Sequence, residues 1–180
     1  MKFPFATTVS MAEEMRKIDY AGLAADARGK SSMAANDVKK IGLLAIDMQG
    51  TFCVPSGELF VAGAPEDTVR AVKFLMGNGD AITQVLCTLD TQKPFQIFHP
   101  AFWINEAGEH PAPFTPILKA EVDAGKWKVN PATPFAVLKN PNAYMALQQW
   151  ASHYVAQLEA TGRYVLLIWP YHAMLGGINH

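Results

Sequence analysis

The sequence predicts an α/β domain organised on a parallel sheet, and three stretches carry that prediction. Ile41 to Ile46 is a short, uniformly apolar run that stops on Asp47. It is too short for an amphipathic helix and apolar enough to be buried on both faces of a sheet. Ala81 to Leu89 repeats the arrangement, with Ile82, Val85, Leu86 and Cys87 ahead of Asp90. Between the two runs, Pro65 suits the first turn of a helix, Glu66 and Asp67 favour its N-terminus, and Gly77-Asn78-Gly79 closes it after Met76. Strand, helix, strand makes a right-handed parallel crossover, which sets Asp47 and Asp90 on one edge of the sheet, sharing one mouth where open sheets bind their ligands.

The rest of the chain divides around this unit. Met11 to about Ala25 has a helical pattern, and Arg28 to Asp37, rich in Ser, Gly and Ala, reads as a linker. Residues 1–40 are therefore expected to form an N-terminal helix and linker, and residues 41–180 the domain. Thr91 to about Asn140 is rich in Pro, Phe and Trp with little periodicity, which suggests a wall or lid over a site. Phe95, Phe98, Phe102, Trp103 and Trp127 in this segment suit either a core or the wall of a pocket for a small planar substrate. A helix is expected from Pro141 to about Ala160, with Tyr144, Leu147, Trp150, Ala151, Tyr154, Val155 and Leu158 at spacings of three and four. A third apolar run, Tyr164 to Trp169, reads as a further strand and leads into Pro170-Tyr171-His172.

Composition narrows the classes of partner. Half of the 180 residues are apolar or aromatic, enough for one domain with a core. With 15 basic and 16 acidic residues and a formal net charge of -1, the chain has no broad basic surface for nucleic acid or anionic lipid. Its two cysteines, Cys53 and Cys87, exclude a disulfide framework and fit a reducing, cytoplasmic compartment. Cys87 is expected to be an inert buried residue within its strand. Pro4 interrupts the opening apolar residues and Glu13 and Glu14 follow closely, unlike a secretory signal. No run of about 18 apolar residues marks a membrane span. The turn Gly77 to Asp80 follows a helix rather than a strand, so no nucleotide cofactor is expected.

Three motifs together resemble the isochorismatase-like cysteine hydrolases, which include the nicotinamidases. They are Leu44-Ala45-Ile46-Asp47-Met48-Gln49 followed by Phe52-Cys53, Thr88-Leu89-Asp90 followed by Pro94 and His99-Pro100, and Trp169-Pro170-Tyr171-His172 followed by Gly176. They stand in the family's order and cover the chain from about Ile41 onward. The resemblance implies a three-layer α/β/α, Rossmann-like parallel sheet and an Asp-Lys-Cys catalytic set, of which Asp47 would be the acid and base. A carboxylate takes the proton of a thiol, an ammonium stabilises the thiolate, and the thiolate attacks an amide carbonyl.

By motif position the resemblance also implies a divalent metal, Zn or Fe, on Asp90, Gln92, His99 and His172, with Gln92 standing where a His is usual. Phe52, Phe98 and Trp103 would line the substrate pocket. The family's Lys and Cys follow the Trp-Pro-x-His motif, so this chain is expected to hold only the N-terminal half of the fold. The missing residues would come from a complementing C-terminal chain, or they would have been lost, and self-association is the other way to cover an incomplete sheet. Hydrolysis of an amide-type C–N bond in a small molecule is the function that follows. The alternatives are a non-catalytic remnant or interaction subunit of the same fold, and a metal-dependent hydrolase in which Asp90, His99 and His172 activate water.

Overall fold

The computed structural model describes residues 19–28, 36–162, 164–177 and 179–180. The chain is a mixed α/β protein whose residues group into two compact units, Met1–Thr91 with Gly176–His180, and Gln92–Leu175. The helix expected from Met11 lies outside the described residues up to Ile18, and the helix Tyr20–Arg28 follows. Most of the expected linker, residues 29–35, also lies outside them.

In the first unit, strand β1, Gly42–Ala45, pairs in parallel with strand β2, Gln84–Cys87. The register sets Leu43 opposite Val85, Leu44 opposite Leu86 and Ala45 opposite Cys87. The connection contains the helix Ala64–Asn78, with Pro65 in its first turn and Glu66 and Asp67 beside the positive end of its dipole. Gly63 precedes it with φ 87, a conformation open to glycine at no steric cost. The strand, helix, strand order of the sequence reading is thus present.

Its surroundings differ from the expectation. Strand one was expected to be buried on both faces, yet Leu44 is 55 % exposed and Leu86 is 47 % exposed. Cys87 is likewise exposed rather than buried in its strand. The physical reason is the size of the sheet: a parallel pair is covered when further strands and helices lie over it, and here only β1 and β2 pair. A three-layer sheet is therefore not present among the described residues. What they contain is three two-stranded sheets.

The second unit is built largely from the segment expected to be a wall or lid over a site. Strand β3, Trp103–Ile104, pairs antiparallel with β5, Lys128–Val129, and strand β4, Pro116–Ile117, pairs antiparallel with β6, Leu166–Leu167. The third apolar run is therefore partnered by residues of this segment and not by β1 or β2. Phe102, Trp103, Ile117, Trp127 and Val129 are buried in one core with Leu147, Ala151 and Val155 of the helix Tyr144–Ala160. Strands of two residues and helices of five or six leave no repeat for a sequence window to detect, which is why the segment reads as aperiodic. The 17-residue helix was legible because it presents a core stripe at positions 147, 151 and 155.

Among the described residues no helix is long and apolar enough to cross a membrane. The helix Thr133–Leu138 ends on Lys139, whose φ of 54 places a non-glycine residue in the left-handed region while its N–H donates to Phe135 O at 3.0 Å. Left-handed backbone costs an L-residue about 1–2 kcal/mol. Lys139→Gly is therefore expected to raise stability by about 1 kcal/mol, seen as a higher urea midpoint at unchanged slope.

Candidate functional site

Asp47 follows β1 with φ 51, a left-handed conformation that Asp tolerates better than most residues. A single side chain from the neighbouring strand end holds it there. Thr88 Oγ1 accepts from the Asp47 backbone N–H at 3.0 Å and donates its own proton to Asp47 Oδ1 at 2.7 Å. The ladder leads directly into this contact, because the Thr88 N–H donates to Ala45 O at 2.9 Å. One hydroxyl thus fixes both the backbone and the carboxylate of Asp47, and it leaves the remaining carboxylate oxygen for other partners.

A second clamp lies beyond it. Gln49 is buried, its Nε2 donates to Asp90 O at 3.0 Å, and its Oε1 accepts from the Asp90 N–H at 2.7 Å. The side-chain amide acts as one more rung of the parallel pair, so the segments that carry Asp47 and Asp90 are tied together at their carboxyl ends. Gln49→Ala removes both bonds and leaves Asp90 backbone groups without that partner, which is expected to cost about 1–3 kcal/mol in urea unfolding.

Asp47 lines a pocket of about 250 Å3 with Ile46, Met48, Phe52, Cys53 and Val61, closed on another side by the start of the helix Ala64–Asn78. Phe52 lines this pocket together with Asp47. Cys53 stands beside it. Asp90 is not among the lining residues. Asp47 and, from the helix, Asp67 line the pocket, whereas Asp90 is held through its backbone by Gln49.

The other named residues belong to the second unit. Gln92 forms a parallel bridge with Met174, its N–H donating to Ala173 O at 2.9 Å and its carbonyl accepting from Leu175 N at 3.0 Å. His99 and His172 are both buried, with ring centroids 5.6 Å apart and planes at 88°. His99 Nδ1 faces Lys93 O at 3.0 Å and His172 Nδ1 faces Pro170 O at 2.7 Å. A carbonyl only accepts, so Nδ1 carries the proton in both rings and Nε2 is the basic nitrogen. That tautomer suits a metal ligand, but two imidazoles do not complete a set of three protein ligands. Among the described residues no group of three His, Cys, Asp or Glu side chains is placed to hold a metal ion.

Phe98 is half-buried and packs edge-on against His99, with centroids 4.9 Å apart. Trp103 is 0 % exposed and its Nε1 donates to Ile97 O at 2.7 Å, so its ring belongs to the core of the second unit and presents no surface to a substrate. Thr88 and Gln49 lay within motifs read from the sequence but were not named as site residues. No local signal singles them out, since Thr88 stands inside the run that ends on Asp90 and Gln49 two residues beyond Asp47.

Compared with family models, curated proteins and solved structures, the chain matches none.

Proposed function

We propose that this chain carries the Asp-bearing half of an isochorismatase-like hydrolase of amide-type C–N bonds in small molecules. Its Asp47 is the general acid and base, and the triad's Lys and Cys come from outside these residues. The finer fold that belongs to this reading is a three-layer, Rossmann-like sheet completed by association. The observation that carries the proposal is Asp47 itself, a carboxylate at the carboxyl end of a parallel strand, anchored by Thr88 and opening into a small, mostly apolar pocket.

In that reading Asp47 takes the proton of the incoming thiol, and the thiolate attacks the amide carbonyl. Protonated Asp47 then delivers the proton to the departing nitrogen, and the C–N bond breaks to leave a thioester. Asp47 next takes a proton from water as the water attacks the thioester, and returns it to the sulfur as the acid leaves. Anchoring by one hydroxyl suits this exchange, since it orients the carboxylate without neutralising it. The test is hydrolysis of small amides by the purified chain, alone and mixed with the C-terminal half of an isochorismatase-like hydrolase that supplies the Lys and Cys. Turnover in the mixture that depends on Asp47 supports the proposal. Turnover by the chain alone that survives replacement of Asp47, or none in the mixture, overturns it.

The exposed apolar residues of β1 and β2 favour a second reading, in which the same half-fold is an interaction subunit. Both readings require association with a second copy or a complementing chain. Sizing of the purified protein in solution tests that shared requirement, and a stable monomer of 19.7 kDa counts against both, while hydrolysis in the complemented mixture separates them.

A further inference from the structure

The turn that brings Phe52 and Cys53 to the pocket is held by a residue far away in the chain. The Thr51 N–H donates to the Asn179 carbonyl at 2.8 Å. Asn179 Nδ2 donates to Glu58 Oε1 at 3.0 Å, and Thr51 Oγ1 donates to the other oxygen, Glu58 Oε2, at 3.0 Å. Thr51 is fully buried and Asn179 is 8 % exposed, whereas Glu58 is an exposed residue that closes these part-buried contacts from the solvent side of the first unit.

Packing matches the hydrogen bonding. A Cβ on Gly50 would stand 3.1 Å from Asn179 Cα, so the asparagine lies directly on the turn and a glycine is what lets it approach. At the other side of the turn, a Cβ on Gly57 would collide with Thr51 O. Leu59 N donates to Thr51 O at 3.1 Å and Val61 N to Phe52 O at 2.9 Å, which closes the loop on itself and sets Phe52 beside Val61 in the pocket wall. Next to Asn179, His180 Nε2 lies 2.8 Å from Thr91 Oγ1. Asn179 is thus bound to both ends of the turn, through Thr51 and through Glu58, while lining no part of the pocket itself.

We propose that Asn179 is a positioning residue for the Asp47 pocket, locking the turn from Gly50 to Glu58 through the Glu58 carboxylate so that Phe52 and Cys53 stay in its wall. It rests on the proposed function only in taking this pocket as the working site. Hydrogen bonds to a carboxylate are stronger than neutral ones, and loss of the Asn179 amide removes the link between the buried Thr51 side of the turn and the exposed Glu58. Removal of the Asn179 amide therefore acts on the whole turn.

The experiment reads the rate at which iodoacetamide alkylates each cysteine of the full chain, resolved by mass spectrometry. It needs no turnover, so its failure is separate from failure of the hydrolytic reading. Asn179→Asp sets a carboxylate against Glu58, and Cys53 is expected to react about tenfold faster, equivalent to about 1.4 kcal/mol. Cys87, exposed on β2, is the internal control and keeps its rate. Adding Glu58→Gln restores a donor and acceptor pair of reversed polarity while still accepting from Thr51, and Cys53 returns to its original rate. An unchanged Cys53 rate in Asn179→Asp overturns the proposal. So does a parallel rise at Cys53 and Cys87, or a double variant as reactive as the single one.

Discussion

Asp47→Asn is expected to lower amide hydrolysis by the complemented protein by about 10²–10⁴-fold, the range that general acid and base catalysis contributes. Its folding should scarcely change. Asparagine tolerates the left-handed backbone at φ 51 as Asp does, and its amide oxygen still accepts from Thr88 Oγ1. What it loses is the capacity to take and return a proton. Asp47→Ala is the poorer variant for this purpose, because Ala at positive φ is strained and the Thr88 bond disappears, so activity and stability fall together. Measured side by side, kcat for the Asn variant should fall while its urea midpoint stays within experimental error of the parent. An Asn variant with parental kcat shows that Asp47 transfers no proton.

The largest loss of stability is expected from Trp103→Ala, at about 3–5 kcal/mol, because a fully buried aromatic ring leaves a cavity that the surroundings fill only in part. The Ile97 carbonyl that accepts from Trp103 Nε1 also loses a buried donor. Set against the 5–15 kcal/mol typical of a folded domain, this is enough to unfold a marginal one. Trp127 provides the contrast. It is also buried, but its Nε1 has no hydrogen-bond partner among the described residues. Trp103→Phe is therefore expected to cost more than Trp127→Phe, since only the first change breaks a hydrogen bond as well as reducing volume. Equal midpoints for the two Phe variants in urea unfolding show that the bond to Ile97 contributes nothing measurable.

The candidate site was legible in part. Asp47 and Phe52 could be placed because both lie within a few residues of the end of β1, and the end of a uniformly apolar run is a local signal. The residues that hold Asp47 could not be chosen the same way. Thr88 acts on Asp47 across 41 positions of sequence, and Asn179 acts on Glu58 across 121. Nothing in the local pattern of Thr or Asn distinguishes a clamp from an ordinary polar residue after a strand. His99 and His172 were read from motif position, and the structure does bring their rings together. Their Nδ1 atoms, however, are engaged by backbone carbonyls of Lys93 and Pro170, which a sequence pattern does not reveal.

By itself the sequence determined the elements whose signal is contained within one stretch. These are the two apolar runs that pair as β1 and β2, the helix between them with its Pro65 start, and the amphipathic helix Tyr144–Ala160. Side-chain periodicity and end signals are properties of neighbouring residues, so they survive without knowledge of the rest of the chain. Only the tertiary structure decided what those elements touch. Leu166–Leu167 is as apolar as β1, yet it pairs antiparallel with Pro116–Ile117, and the aromatic stretch expected to cover a site became the core of the second unit. A strand's apolar character states that it seeks a partner, while the choice of partner depends on which edge the folded chain places beside it. The same holds for Asp47. Its position at a strand end is written in the sequence, and its fixed orientation comes from a hydroxyl on the neighbouring strand end that only pairing brings within reach.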